Sequence, residues 1–448
     1  MTMRSDFNRR SLPPAAVALG YAALVLAPLA LAALAAERAG PVLRELGIGA
    51  GLCGLSLLLL QFLSSGRFER LSGRVGIDAT MRLHQLAARS ILALALLHPL
   101  ALVLPASPAE IVESLRGLVA APSMRSGAVA LAALILLVTA AIWRRRLPLG
   151  YEHWRGSHAL LALVASIGAL HHALTVGSYS SAGLLAGYWG LLAAAAFAAF
   201  GYGYLVKPFR LARRAYRVRS NESRGDDIRE LVLSPVSGAS LAYRAGQFVW
   251  VDFGRRFFTL RDHPFSLASS PREGADLRLL IKARGDFSSK LADILPGTQA
   301  FVDGPHGNFS CHGREGESLA LFAGGIGIAP ILGILRDLAA ARDTRPIGLV
   351  YGARDAGRLV AREEIGAFSA ALDLRTEFIL EEPPADWTGG RGEITCEAVQ
   401  RALRGKDPRR SLCLICGPTP MMLAIERHLL ALGVPARQIV FERFEYDE

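Results

Sequence analysis

The apolar residues gather in the first half of the chain as six long runs, at 13–36, 42–65, 80–104, 127–143, 154–175 and 182–205. An α-helix needs roughly 20 apolar residues to cross the hydrocarbon of a bilayer, and all but the short fourth run come close to or exceed that. The pattern therefore predicts an all-α bundle of six transmembrane helices. The second half changes character. From 213 to 312, short alternating runs separated by turns (YRVRS, IRELVLSPV, GQFVWVDF, RRFFTL, LRLLIKA, QAFVDGP) predict an antiparallel β-barrel. From about 317, strands alternate with helices: ESLALFAGG, a helix through IAPILGILRDLAAA, the strands PIGLVYGA, TEFILEE and SLCLICGP, and a helix from about 419. That alternation predicts an α/β domain with a doubly wound parallel sheet. The expected fold is multi-domain: an N-terminal segment at 1–12, the bundle at 13–206, the barrel at 207–312 and the α/β domain at 313–448.

Two of the predicted spans carry histidines 14 positions apart, His84 and His98 in the third and His158 and His172 in the fifth. Fourteen residues rise about 21 Å and miss whole turns by only about 40°, so each pair keeps to one helix face. Two such helices can clamp two stacked haems, each iron held between imidazoles from opposite helices. Ionisable side chains at membrane depth are costly and point to function. Unrelated buried histidines satisfied by backbone or water would leave the matched spacing unexplained. His171 adjoins His172. Thirteen residues rotate a regular helix about 140° off the first ligand, which favours His172, whereas a helical bulge would admit His171. His153 is out of step with this ladder and reads as an interfacial residue beside Trp154.

Composition sharpens the picture: 52% hydrophobic residues is too apolar for a wholly soluble chain of this length. The net charge of +11 is largely a matter of topology. Arg4, Arg9 and Arg10 precede span one, and Arg67, Arg70 and Arg74 follow span two. Arg144, Arg145 and Arg146 follow span four, and Lys207, Arg210, Arg213 and Arg214 follow span six. The opposite loops carry only Arg38, Arg44, Arg116 and Arg125. By the positive-inside rule both termini are cytoplasmic, and the short loops suit a multi-pass protein of an inner membrane. With the charge explained, no nucleic-acid partner is inferred. Spans three and five then both run outward, setting His84 level with His158 and His98 level with His172. The end of span one, LAALAAERAG, is similar to a signal-peptide cleavage site, but its long apolar run reads as an uncleaved helix. The five cysteines form no disulfide framework. Cys413 and Cys416 make a CxxC followed by Gly417, where covalent haem attachment needs histidine, and no second CxxC offers a zinc site.

HPFSLASSP, 263–271, resembles the flavin-binding motif of the ferredoxin-reductase superfamily, in the His-Pro-Phe-Ser form of NADPH oxidases and ferric reductases. The resemblance implies that His263, Pro264, Phe265 and Ser266 run along FAD, with Ser266 and His263 near its phosphate and ribitol. KARGDFSSKL, 282–291, resembles the family's pyrophosphate loop and implies that Lys282, Gly285, Asp286, Phe287 and Ser288 contact FAD. Gly285 permits close backbone approach, and the following amides and Ser288 can donate to anionic oxygen. GPHGNF, 304–309, is similar to the loop that closes the barrel. FAGGIGIAP, 322–330, follows a strand and opens a helix. Gly324, Gly325 and Gly327 there let backbone approach a pyrophosphate at a helix N-terminus, and Pro330 fits the first turn. Its G-x-G-x-x-P spacing is the superfamily's and differs from the dehydrogenase fingerprint.

CGPTPMM, 416–422, resembles the family's second nicotinamide element. It implies that Cys416 lies near the ring where hydride leaves, with Gly417 and Pro418 beside it; a small buried residue is the other reading of Cys416. FERFEYDE, 441–448, resembles the terminal acidic-x-aromatic element whose ring covers the flavin, with Glu442 and Phe444 as the match. The extension Glu445–Glu448 departs from that pattern and makes Tyr446 a second candidate for stacking. Arg354, after VYGA, suits a 2′-phosphate, whereas Asp355 suits a free ribose, so NADPH and NADH both stay open with a lean to NADPH.

The assembled chain is similar to a prokaryotic member of the ferric reductase and NADPH oxidase superfamily. The resemblance implies an NAD(P)H-dependent flavohaem oxidoreductase. Electrons would pass from NAD(P)H to FAD, then to an inner haem b at His84 and His158 and an outer one at His98 and His172. The extracytoplasmic acceptor would be a ferric chelate or oxygen, reduced outer-sphere to superoxide or peroxide. An electron-supply subunit for a periplasmic partner reductase is the alternative. Glu110 and Glu113 are too sparse to argue for an iron site. Arg82 and Arg155 read equally as partners of haem propionates and as topology-setting charges. Haem sensing or transport would leave the flavin and nucleotide motifs unexplained.

Overall fold

The computed structural model describes residues 14–36, 40–64, 77–104, 121–180, 183–225, 227–237, 240–254, 262–283 and 288–442. Two compact units divide at Lys207 and Pro208.

Six helices of the first unit are long and apolar enough to cross a membrane. They are α1 (Pro14–Ala35), α2 (Val42–Leu60), α3 (Ile77–Val103), α4 (Arg125–Ile142), α5 (Tyr151–Val176) and α6 (Gly183–Gly201). All six predicted spans are present, with shifted ends. A 3₁₀ turn at Pro122–Met124 precedes α4, so the short fourth run becomes a span of 21 residues. Helix α6 continues through a π-helical turn, Tyr202–Val206, into Lys207–Ala212, past the boundary expected at 206. Long basic side chains suit that continuation because their stems lie along apolar surface while the charge reaches water. The flanking residues Arg4, Arg9, Arg10, Arg38, Arg67, Arg70, Arg74 and Arg116 lie outside the described residues, as do Glu110 and Glu113.

Helix α2 packs along α3, and α4 along α5. Lipid tails are as apolar as leucine, so helices associate in a bilayer through close packing of small residues. The contact faces supply them: Gly47, Gly51 and Gly54 of α2 lie against α3, and Gly168 of α5 lies against Ser126 and Ala130. Leu57, Ile91, Leu134 and Ala165 fill the space between these helices. Buried Trp189 of α6 donates its indole hydrogen to Ser180 at 3.2 Å, which satisfies a polar atom that lipid could not.

The second unit opens with β1 (Tyr216–Ser223), β2 (Ile228–Pro235), β3 (Phe248–Phe253), β4 (His263–Ser266), β5 (Leu277–Lys282) and β6 (Gln299–His306). Their order is β4-β3-β6-β1-β2-β5, all neighbours antiparallel. A bridge from Leu267 to Leu279 links the two edges, so the sheet closes into the expected barrel. Alternating burial along the start of β1 places Tyr216 and Val218 in its core with Leu231, Leu233, Val249 and Leu279. The expected strand RRFFTL lies at 255–260, outside the described residues.

The α/β domain contains β7 (Ser318–Gly324), α7 (Ile328–Ala340), β8 (Ile347–Ala353), α8 (Arg362–Ala367), β9 (Leu374–Leu380), β10 (Gly390–Arg391), α9 (Cys396–Leu403), β11 (Ser411–Cys416), α10 (Thr419–Ala431) and β12 (Ile439–Glu442). The parallel sheet has the order β10-β9-β8-β7-β11-β12. Central β7 and β11 are buried at every position, as strands covered by helices on both faces must be. The strand order reverses between β7 and β11, and ligands of such sheets bind in the crevice beyond the carboxyl ends at that point.

Candidate functional site

Helices α3 and α5 bring their histidines together in two pairs. The ring centroids of His84 and His158 lie 6.5 Å apart, and those of His98 and His172 lie 6.3 Å apart. First pairs with first and second with second, so the two helices run parallel and in register. His172 is the residue turned towards His98, and His171 is exposed. Two imidazoles that share one metal through ring nitrogens at about 2 Å each have centroids about 6 Å apart. Both pairs have that separation. Among the described residues no group of three or more histidine, cysteine or acidic side chains is placed to hold a metal. Two opposed imidazoles suit an iron whose other positions a porphyrin fills.

Residues of neighbouring helices close on the His98–His172 pair. His98 Nδ1 lies 2.8 Å from the Gly47 carbonyl oxygen. A carbonyl can only accept, so Nδ1 carries the hydrogen and Nε2 keeps its lone pair for a ligand bond. Gly51 of α2 and Gly127 of α4 flank the two rings: a Cβ on either would stand 2.8 Å from the facing Nδ1. The His84–His158 pair has different neighbours. Gln61 donates to the His84 carbonyl at 2.8 Å, the Trp154 ring lies 5.2 Å from that of His158, and the Arg144 guanidinium lies over the Trp154 ring, 4.5 Å from its centroid. The Nδ1 atoms of His84, His158 and His172 are buried with no hydrogen-bond partner among the described residues. Sequence reasoning missed Gly47, Gly51, Gly127 and Gln61. The run GIGAGLCG, with glycines four apart at 47 and 51, was a legible signal for α2; Gly127 alone offered none.

In the barrel, the motif residues His263, Pro264, Phe265 and Ser266 form strand β4 and pair with β3. The Ser266 hydroxyl is buried with no hydrogen-bond partner among the described residues, which suits a ligand rich in acceptors. Lys282 ends β5 and pairs with Asp227 at 3.4 Å. Gly285, Asp286 and Phe287 lie outside the described residues, and Ser288 opens a 3₁₀ helix to Asp293. Phe444 and Tyr446 also lie outside them. Glu442 ends β12, buried against Gly307 of the loop GPHGNF.

The two glycine motifs of the α/β domain interlock at the strand-order reversal. A Cβ on Gly417 would stand 3.0 Å from the Gly324 Cα, and one on Gly327 would collide with the Cys416 carbonyl. Gly325 has φ of +52°, a conformation that glycine adopts freely. The turn delivers the backbone to the start of α7, with Pro330 in its first turn, and helix amides there favour an anion. Cys416 is wholly buried; burial, reinforced by the Glu442 carboxylate, pushes its thiol far up, so it is neutral at physiological pH. Burial likewise pushes Cys413 up to about 12. Arg354 is exposed and pairs with Glu382 at 3.0 Å. Asp355 accepts from the Arg358 amide at 3.1 Å and pairs with the Arg358 guanidinium, so its carboxylate is already committed.

Comparison with known proteins gives three domain matches. Residues 50–169 match the family described as ferric reductase like transmembrane component, 217–310 an FAD-binding domain, and 321–427 an oxidoreductase NAD-binding domain. NADH-cytochrome b5 reductase 1 of Laccaria bicolor is 33% identical over 162 residues, which is 35% of this chain and 53% of that protein. The flavohemoprotein of Bordetella pertussis is 29% identical over 245 residues, 52% of this chain and 60% of that one. The chain thus spans little more than half the length of these curated relatives. Among solved structures, the flavohem-like FAD/NAD binding domain of nitric oxide dioxygenase from Vibrio cholerae O1 biovar El Tor shares 23% identity. That similarity covers 51% of this chain and 97% of that one, with a TM-score of 0.45.

Proposed function

The chain has the domain architecture of the ferric reductase and NADPH oxidase superfamily, and on that premise we propose that it moves electrons across a membrane, from cytoplasmic NAD(P)H to an extracytoplasmic acceptor. The observation that carries this reading is the double histidine pair, with ring separations of 6.5 and 6.3 Å on two parallel helices. His84 and His158 are assigned to an inner haem b, and His98 and His172 to an outer one. When bound, FAD supplies the exchange between a hydride and single electrons, and two haems supply one-electron centres at two depths.

The chain's own residues do the rest. His98, with its Nδ1 hydrogen given to the Gly47 carbonyl, would offer Nε2 to a metal. His84 with His158, and His98 with His172, would each hold a haem iron, which would supply one-electron transfer there. Ser266 offers its unpartnered hydroxyl to FAD, alongside His263, Pro264 and Phe265; Lys282, Gly285, Asp286, Phe287 and Ser288 are assigned to its pyrophosphate. Gly324, Gly325 and Gly327 bring backbone amides to the nucleotide pyrophosphate, with Pro330 starting the helix. Gly417, Pro418 and the neutral Cys416 border the nicotinamide position, and Phe444 is assigned to cover the flavin by its motif. Arg354, exposed and paired with Glu382, is assigned to a 2′-phosphate, which favours NADPH. The distribution of basic residues supports both termini on the cytoplasmic side of an inner membrane.

The acceptor, ferric chelate or oxygen, is decided with purified protein and NADPH or NADH. Dismutase-sensitive cytochrome c reduction assigns oxygen. Ferric-chelate reduction that persists without oxygen and ignores dismutase assigns iron. Haem reduction that stalls with both acceptors assigns a periplasmic partner protein. Absence of nucleotide oxidation by FAD-loaded protein with any acceptor, artificial ones included, would overturn the proposal.

A further inference from the structure

One face of α7 is docked on the backbone that follows the flavin-motif strand. Gly333 makes the closest approach: a Cβ there would stand 2.6 Å from the Leu267 carbonyl oxygen and 3.1 Å from that of Ser269. Arg336 is 5% exposed, and its Nη1 donates to the Ala268 carbonyl at 2.6 Å. Its Nε and Nη2 form a bidentate pair with Glu364 of α8 at 2.6 and 2.8 Å. Asp337 accepts from the Ser270 hydroxyl at 2.8 Å and pairs with Arg272 at 3.2 Å. Buried Glu230 of β2 lies 4.0 Å from Arg336 and also pairs with Arg224 and Arg278. Positions 333, 336 and 337 fall on one helical face, which is why a single helix can make all these contacts.

A buried guanidinium is tolerated only when its hydrogens find partners. Arg336 draws its partners from the barrel backbone and from α8 together, so these bonds form at once only in one placement of α7 on the barrel. The N-terminus of that same helix is the end assigned to the nucleotide pyrophosphate. One rigid rod therefore connects the nucleotide position to the strand assigned to FAD.

We propose that Arg336 is a positioning residue for hydride transfer: with Gly333 it seats α7 on residues 267–270 and so sets the gap between nicotinamide and flavin. The inference rests on the reading that this module passes hydride from NAD(P)H to FAD. In that step the nicotinamide C4–H bond breaks, the hydrogen carries both electrons into a new bond to the flavin, which is thereby reduced, and NAD(P)⁺ remains. Such transfer is sensitive to placement, with about 1 Å of error costing on the order of 100-fold.

The test uses full-length, FAD-loaded Arg336→Gln and Gly333→Ala proteins. Gly333→Ala changes no charge and acts on spacing alone. Both are expected to lose about 10- to 100-fold in the limiting rate of flavin reduction while nucleotide affinity stays within about threefold. The isotope effect with C4-deuterated nucleotide should rise and the nicotinamide–flavin charge-transfer absorbance should fade. Folded variants with lower thermal stability but unchanged rate, isotope effect and absorbance would overturn the proposal and leave Arg336 a structural clamp. If Arg336→Gln does not fold, Gly333→Ala decides alone by the same readings. A wild-type protein whose bound flavin neither nucleotide reduces would instead overturn the underlying function, and this inference with it.

Discussion

Gly51 of α2 lies against the His98 ring so closely that a methyl group in its place would stand 2.8 Å from Nδ1, and Gly127 of α4 stands in the same relation to His172. Each ring of the outer pair thus has a glycine from a neighbouring helix as its wall. Overpacking at such a contact costs about 1–3 kcal/mol, and disturbing the support of a metal ligand costs roughly 10- to 100-fold in affinity. Gly51→Ala and Gly127→Ala should each lower outer-haem occupancy and leave the inner haem in place. Haem-to-protein ratio and low-temperature absorption spectra check this, and full retention of both haems would refute the role given to these glycines.

The ligand assignment makes a sharper demand. His98→Ala should remove about one haem's absorbance while NAD(P)H still reduces the flavin. His172→Ala should behave like His98→Ala, and His171→Ala should leave both haems bound, because the exposed His171 does not face His98. The reverse order for the two neighbours would mean that α5 carries its ligand at a bulge.

Much of this was legible in the residues because the signals were periodic. Histidines 14 apart on two apolar runs state their own pairing, and six long runs state the spans. The α/β strands were readable because β7 and β11 are continuous apolar runs next to glycine turns. What stayed hidden depends on contacts distant in sequence. Nothing local marks Gly127 as the wall of His172, or Arg336 as the partner of Ala268, 68 positions away. Asp355 is a different case: Arg358 is only three positions on, but the use of Asp355 as the cap of that turn emerges only from the fold.

Nucleotide choice turns on Arg354 and Glu382. Arg354→Gln should weaken NADPH by about fivefold to tenfold, the low end for a charged hydrogen bond because the site is exposed, and leave NADH nearly unchanged. Glu382→Gln removes the negative charge of the partner 3.0 Å from Arg354 and should shift preference modestly towards NADPH. KM ratios for the two nucleotides check both. Equal losses for NADPH and NADH in Arg354→Gln would place the 2′-phosphate elsewhere.

Cys416 should be chemically silent in the folded protein. The thiolate is the reacting form, and burial raises this thiol far above its ordinary range. Iodoacetamide at pH 7 and at pH 9 should therefore leave Cys416 unmodified in native protein while labelling the partly exposed Cys396. Peptide mass spectrometry reads both sites. Rapid native labelling of Cys416 would show that its strand end opens to solvent.

On the proposed function, two haems held by α3 and α5 receive electrons from NAD(P)H. The most direct measurement is an anaerobic absorption spectrum of purified full-length protein, expressed with ample haem, before and after adding NADPH or NADH. The expected result is two b-type haems per flavin, both reduced by the nucleotide. A spectrum without b-type bands, or bands that dithionite reduces and neither nucleotide does, would contradict it.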